Sequence, residues 1–298
     1  IIGQAIDDHS GLIEAAGCSH LIGREGYRQA YRSEKALADA WRDAERYRQD
    51  YSVPSHLEDN AQLHQAEPGL KREMAGAVHW TGSWACRDPG GLVKAYADLF
   101  TARGGTYVQG DALTLERQKN GWVVSSEEGP LTAAHAIIAL GPWSSEMLVK
   151  LGYQDPLFSK RGYHQHFAYA EGQNVAAPKL PMMDVANAAV ICPTTYGVRI
   201  CSGAEIARKG APPSPRQLVK AIKSAKELFD LGEPVEETPW YGNRPCMPDM
   251  LPVVGKAPNH EGLWFNFGHG HQGFTLGPTT GRLLAEEITE GISQLTAL

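Results

Sequence analysis

The stretch Gly268-His269-Gly270-His271-Gln272-Gly273 limits what this chain can fold into, because it lies between an apolar strand pattern, residues 263–267, and a closing helix pattern, residues 278–290. It matches G-x-G-x-x-G in the strand-then-helix setting of a dinucleotide fingerprint. A nucleotide-binding βαβ unit also needs a second parallel strand after the helix, bearing an acidic residue for the ribose. Only eight residues follow Glu290 in a chain of 298, so the ADP-binding reading is set aside. The glycines still let backbone N–H groups approach a ligand, beside a helix N-terminus carrying partial positive charge. That terminus is expected at Pro278, a residue suited to the first helical position. An electron-rich ring carbonyl would suit such a place, and a plain chain-reversing turn is the bland alternative.

With 42% hydrophobic and 21% charged residues, the chain can bury a sizeable core in one large domain or two modest ones. A net charge of -6 and the lack of a Lys/Arg stripe argue against nucleic acid as a partner. The apolar runs 136–140 and 251–254 fall far short of the roughly 20 residues that span a bilayer, so no transmembrane segment is expected. The five cysteines are odd in number, scattered and without a Cys-x-x-Cys pair, which fits a reducing cytoplasm and suggests no metal site. Ile1-Ile2-Gly3-Gln4 shows no initiator Met and no signal peptide, and reads as a cut end.

Along the chain, residues 10–17 read as a helix and 19–23 and 27–31 as short strands. Ser33 caps a helix whose apolar face is Ala36, Leu37, Ala40, Trp41 and Ala44, ended by Pro54. Residues 59–68 suggest a short helix and 77–80 a strand, and Asp88-Pro89 caps and opens a helix to about residue 103. Residues 107–108, 112–117, 122–126 and 136–140 then read as an antiparallel meander ending in a buried strand. A second β-rich stretch covers 161–169, 188–192 and 198–203, followed by an amphipathic helix over 214–231. Trp80, Trp84 and Cys86 read as core packing.

A single arginine, Arg244, sits in Gly242-Asn243-Arg244-Pro245, just before Pro248-Asp249-Met250-Leu251-Pro252-Val253-Val254-Gly255. Arginine is the side chain that grips a carboxylate with two parallel hydrogen bonds. Taken alone, an ion pair with Asp249 is its plainer reading.

Taken together, Trp240-Tyr241-Gly242-Asn243-Arg244-Pro245, the Pro248 to Gly255 segment, Gly268-His269-Gly270 with Gly273, and Gly277-Pro278 resemble, in order and spacing, a C-terminal signature. It is that of the flavoprotein family including D-amino-acid dehydrogenase, glycine oxidase and sarcosine oxidase. Upstream, Ala139-Leu140-Gly141-Pro142-Trp143-Ser144 resembles the family's strand that ends beside the flavin, and Lys160-Arg161-Gly162-Tyr163, Gly203 and Glu205 resemble its next landmarks. The resemblance covers nearly the whole chain and is loosest at its front.

The resemblance implies an α+β fold: an incomplete α/β FAD-binding lobe from 85–155 and 240–298, interleaved with a sheet-plus-helices substrate lobe from 1–84 and 156–239. It implies FAD-dependent oxidative deamination of a D-amino acid, glycine or an N-methyl amino acid. In that reaction a hydride passes from the α-carbon to the flavin, and the imino acid hydrolyses to a 2-oxo acid. Arg244 would clamp the carboxylate, and Tyr163 would add a hydroxyl contact unless it is only a packed sheet residue. Gly141 and Trp143 would lie against the cofactor, with Gly268, His269, Gly270, Gln272, Gly273, Phe274 and Thr275 about the flavin ring. His269 and His271 are acid/base candidates by residue type, but His269 reads better as a support of its loop.

Family members that hold flavin covalently use a cysteine ahead of the Pro-Asp segment. Cys246 is too close to Asp249 to match it, so FAD is expected to be non-covalent. The family opens with a strand, a G-x-G-x-x-G turn and a helix, and no such unit precedes Ile1. On the order of a hundred residues are expected to be missing, which leaves open whether this chain by itself holds FAD. An oligomer or partner would cover the exposed face. The expected location is the cytoplasm, at most peripheral to the inner membrane. The competing reading is a cofactor-free remnant or subunit that binds a partner.

Overall fold

A computed structural model describes residues 1–154, 156–172, 176–208 and 210–291, so the last seven residues of the expected flavin lobe lie outside the described residues. α1 (Ala5–Ala15) leads through β1 (Ile22–Gly23) to β2 (Tyr27–Tyr31). α2 (Glu34–Tyr51) starts as expected at Ser33, whose hydroxyl accepts from the Ala36 amide, and ends two residues ahead of Pro54, at Ser52 in a left-handed conformation. β3 (Ser55–Asp59) runs into α3 (Asn60–Ala66), which opens with a reciprocal capping box between Asp59 and Gln62. After β4 (Gly76–Trp80) and β5 (Ala85–Cys86), α4 (Pro89–Ala102) begins where Asp88 accepts from the Gly91 amide. β6 (Gly110–Gln118), β7 (Gly121–Ser126) and β8 (Gly129–Ala133) form the meander, while residues 107–108 lie outside any strand. β9 (Ala136–Ile138) leaves it, and a 3-10 turn (Gly141–Trp143) leads into α5 (Ser144–Lys150). There follow β10 (Phe158–Tyr169), β11 (Met182–Asp184), β12 (Ala189–Thr194), β13 (Gly197–Cys201), β14 (Glu205–Ile206) and α6 (Arg216–Leu228). The chain continues with β15 (Leu231–Pro234), β16 (Trp240–Cys246), β17 (Val253–Lys256), β18 (Leu263–Phe267) and α7 (Gly273–Glu290).

The fold is α+β. Ten strands make the largest sheet, ordered β14-β10-β13-β12-β11-β2-β4-β3, with β16 and β15 on the other edge of β10. Alternation along β10 sends Tyr163 and Phe167 to one face and Gly162, His164 and His166 to the other. The first face is covered by α3 and α6: Leu63, Leu218, Ala221 and Leu228 pack there against Tyr163, Phe167, Ile191 and Ile200. Each such leucine contributes about 1.5–3 kcal/mol on burial. α2 covers the β2–β4 end of the second face, through Leu37 and Ala44 on Tyr31 and Val78.

β17, β18 and β9 form a separate sheet in which β9 runs parallel to β18. The meander therefore does not end in β9. Ala136–Ile138 pairs with a strand more than a hundred residues later, a partner that no local turn signal could reveal. α1 packs on α4 and α7, with Arg282 gripping Asp8 at 2.7 Å. Ile13 shares a core with Leu92, away from the large sheet, and β16 belongs to that sheet, paired with β10 over seven positions.

The closing helix starts five residues ahead of Pro278, at Gly273. Proline inside the helix lacks the N–H that would bind the carbonyl four residues back. That carbonyl, on Phe274, receives His9 Nε2 instead, at 3.1 Å. A contact from α1 thus supplies the missing hydrogen bond, which is why the proline did not mark the terminus.

Candidate active site

Gly162 and Gly242 face each other across the β10–β16 ladder, so two adjacent positions on the second face of the sheet carry no side chain. Two long side chains of β16 lie over them. The Trp240 ring covers Gly242, and the Arg244 guanidinium covers Gly162, reaching across β10 until Nη1 stands 3.5 Å from the Gly203 carbonyl. Asp249 does not pair with Arg244 as expected. Its Oδ1 accepts from the Leu251 amide in a local turn, and among the described residues no carboxylate stands within ion-pair distance of Arg244.

Further along this face Trp240 stacks on His164, with ring centroids 4.7 Å apart. Burial, then the charge of Arg199, pushes the His164 imidazole down to about 4, so it is neutral near pH 7. His166 donates from Nδ1 to Glu236, and its Nε2 accepts from Arg199 Nε at 2.9 Å. Cys201 stands opposite His164 in the β10–β13 ladder. A hydrogen bond from Cys192, with the charges of Arg199 and Arg244, holds the Cys201 thiol below its ordinary value. The face therefore runs from one guanidinium to another past the His164 and Trp240 rings and the Cys201 thiol.

Tyr163 lies on the opposite, helix-covered face. Its hydroxyl donates to Glu205 at 2.5 Å and accepts from the Ser214 amide at 2.8 Å. Arg161 is buried beside it, donating to the Ala211 and Pro212 carbonyls. The expectation that Tyr163 reaches the substrate is thus at odds with the pleat: one residue of offset from Gly162 turns a side chain to the other face. Its hydroxyl ties β10 to β14 and to the segment before α6.

The other expected site segments meet at the far end of β16. The 3-10 turn holding Gly141 and Trp143 packs on β16, as does the turn Gly270–Gln272, and Cys246 bridges to His269. Gly141, Gly268 and Gly270 have φ of +55°, +82° and +58°, so each bend requires a residue free of Cβ strain. α7 begins with Gln272 at its N-cap and no side-chain cap, leaving the amides of its first turn, including Gly273, Phe274 and Thr275, to an outside acceptor. Beside them lies a cavity of about 430 Å³ lined by His9, Trp84, Cys86, Phe274 and Thr275. Trp84 and Cys86, expected as core packing, pack on the Ile13, Cys18 and Leu92 cluster and also border this cavity.

His269 is the loop support that its setting suggested. Thr280 Oγ1 gives its proton to the Leu276 carbonyl, so His269 Nε2 donates to it at 3.1 Å, and burial lowers the imidazole's basicity. His271 lies on the surface, accepting from its neighbour Gln272. All five cysteines are free thiols. Two groups, His56-Glu58-His79 and His164-His166-Glu236, hold ligand-type atoms within 4.8 Å of one another. Their atoms are already engaged: Glu58 takes Arg28 through both oxygens, and His166 takes Arg199. Among the described residues no helix is long and apolar enough to cross a membrane.

His164, Arg199 and Cys201 were not singled out from the sequence. Alternation from Gly162 would have put His164 on the site face, but the alignment of β13 with β10, which brings in Arg199, is a non-local register.

A family model described as FAD dependent oxidoreductase matches residues 2–287. Among curated relatives, a D-amino-acid oxidase of Bradyrhizobium diazoefficiens is 31% identical over 290 residues, covering 94% of this chain and 66% of the relative. A D-amino acid dehydrogenase of Cereibacter sphaeroides is 30% identical over 271 residues, covering 89% of this chain and 61% of the relative. The chain spans less than two thirds of the length of either. Among solved structures, glycine oxidase from Geobacillus kaustophilus matches with a TM-score of 0.80 at 19% identity, over 98% of this chain and 78% of that one. L-proline dehydrogenase from P. horikoshii matches with 0.74 at 18%, over 99% and 79%. At these identities the structural likeness shows the fold.

Proposed function

Since this chain belongs to the FAD dependent oxidoreductase family, we propose that it carries the substrate-recognising face of an enzyme that oxidatively deaminates an α-amino acid of D configuration. The observation that carries this reading is the Arg244 guanidinium, spread over Gly162 on an open sheet face without a carboxylate of its own. A substrate carboxylate would complete it with two parallel, charge-assisted hydrogen bonds. Anchoring that end fixes where the α-carbon hydrogen points. The neutral His164 ring beside the clamp does not repel the substrate's amino group. The names of the similar proteins, a D-amino-acid oxidase and a D-amino acid dehydrogenase, favour the D configuration.

The first-turn amides of α7 and the adjoining cavity fit the ring end of FAD. When bound there, FAD supplies the two-electron acceptor for the α-carbon hydrogen. Gly273, Phe274 and Thr275 would offer backbone N–H groups and the helix dipole to negative charge on a ring carbonyl. Gly268, His269, Gly270 and Gln272 would set the approach of that helix end, and Gly141 and Trp143 would flank the ring. Tyr163 would act through the strand that seats Arg244.

The test is to incubate the purified chain with FAD, remove free cofactor by gel filtration, and record the visible spectrum anaerobically. Retained flavin bands that bleach with D-alanine or D-glutamate and persist with the L-enantiomers are expected. A colourless protein, or bands indifferent to both D-amino acids, would overturn the proposal.

A further inference from the structure

Arg199 is the second cation on the open face, and its surroundings hold it ready for an anion. Nε is fixed to His166 Nε2, and His166 is fixed by Glu236 through both its ring and its backbone amide. The two Nη groups have no hydrogen-bond or ion-pair partner among the described residues. Glu236 is engaged by His166 and makes no ion pair with Arg199. A planar guanidinium fork left half-buried and unpaired matches one carboxylate.

Arg199 stands opposite His166, and the Arg244 guanidinium lies over Gly162. Four residues of strand separate those positions, about 13 Å at the usual rise. Cys201 stands opposite His164, midway along the strand between those two positions. The interval is lined by the Cys201 thiol, the Trp240 ring, and a His164 kept neutral by burial, with no carboxylate among them. An extended five-carbon diacid puts its carboxyl carbons about 5 Å apart, and each would stand about 4 Å from the guanidinium carbon that it meets, about 13 Å in all.

We propose that Arg199 and Arg244 together select an amino acid with a second carboxylate on its side chain, Arg244 taking the α-carboxylate and Arg199 the distal one. This rests on the open face being the substrate site. A substrate with an apolar side chain would leave the Arg199 fork desolvated and unpaired, and such a mismatch separates substrates more strongly than one methylene does.

Calorimetric titration of the purified chain with glutarate and with pentanoate, unreactive acids of equal carbon count, tests it. Glutarate is expected to bind at least about tenfold more tightly. Arg199→Met should bring glutarate to the pentanoate level and leave pentanoate unchanged, and Arg199→Lys should restore part of the preference. Arg244→Met should weaken both acids. Equal binding of the two acids by the wild-type chain, or a glutarate preference that survives Arg199→Met in a variant with an unchanged thermal midpoint, would overturn the Arg199 assignment alone. Pentanoate binding that survives Arg244→Met would overturn the substrate face itself, and failure of both acids to bind would overturn both.

Discussion

A Cβ built on Gly162 would fall 2.3 Å from Nη2 of Arg244: the guanidinium occupies the space that any other residue at 162 would fill. The strand conformation at Gly162 is one any residue adopts, so the glycine is required by contact and not by backbone. Gly162→Ala should therefore keep the fold and displace the clamp. We expect pentanoate affinity to drop about tenfold with the thermal midpoint shifted by only a few degrees, read by calorimetry and by thermal unfolding.

His164 should give the protein a specific acid sensitivity. Its folded pKa of about 4 lies below the ordinary 6.5, so the unfolded chain takes up the proton first as pH falls. Arg199, His166 and Glu236 face this ring, and the first two oppose its charge. Its contribution is fully present above pH 6.5 and is lost as pH falls toward 4. The loss amounts to about 2 kcal/mol once solvent screening at a half-buried ring is allowed for. Urea unfolding at pH 7.5, 5.5 and 4.5 should show a smaller fall in stability for His164→Asn than for the wild type; equal falls would remove His164 as the source.

Arg28 is buried between two carboxylates, holding Glu58 through Nε and Nη2 and Glu67 through Nη1 at 2.8 Å. Glu67 is fully buried and also accepts the Lys179 and Leu180 amides. Arg28→Met removes the one guanidinium that bridges both and should destabilise the protein by about 3–5 kcal/mol. A shift of under about 1 kcal/mol in the urea midpoint analysis would mean the pair relaxes into solvent.

The Phe274 carbonyl, unpaired because of Pro278, is served by His9. His9→Ala should cost about 1 kcal/mol. In a Pro278→Ala background, where the helix can make its own hydrogen bond, the same change should cost less. A double-mutant cycle by urea unfolding measures that coupling, and additive losses would disconnect the two residues.

Features written in local chemistry were legible in the sequence. Ser33 and Asp88 cap their helices where expected, and residues 263–267 form the strand Leu263–Phe267. The landmark segments about Gly141 and Gly268 pack on β16, the strand that carries Arg244. Features that depend on long-range pairing were not legible. Pro278 reads as a helix start until α1 supplies His9, β9 reads as the meander's last strand until β18 takes it, and Arg199 joins the site only through the β10–β13 register. Of the two readings open for Tyr163, the packed sheet residue could have been preferred from the sequence, since strict alternation separates it from Gly162.

The central claim is that Arg244 receives the substrate carboxylate, and the steady-state kinetics of the FAD-loaded protein with D-glutamate test it most directly. For Arg244→Met the account predicts kcat/KM lowered by about a hundredfold or more, chiefly through KM, with partial rescue in Arg244→Lys. An Arg244→Met protein with unchanged KM and kcat would contradict it.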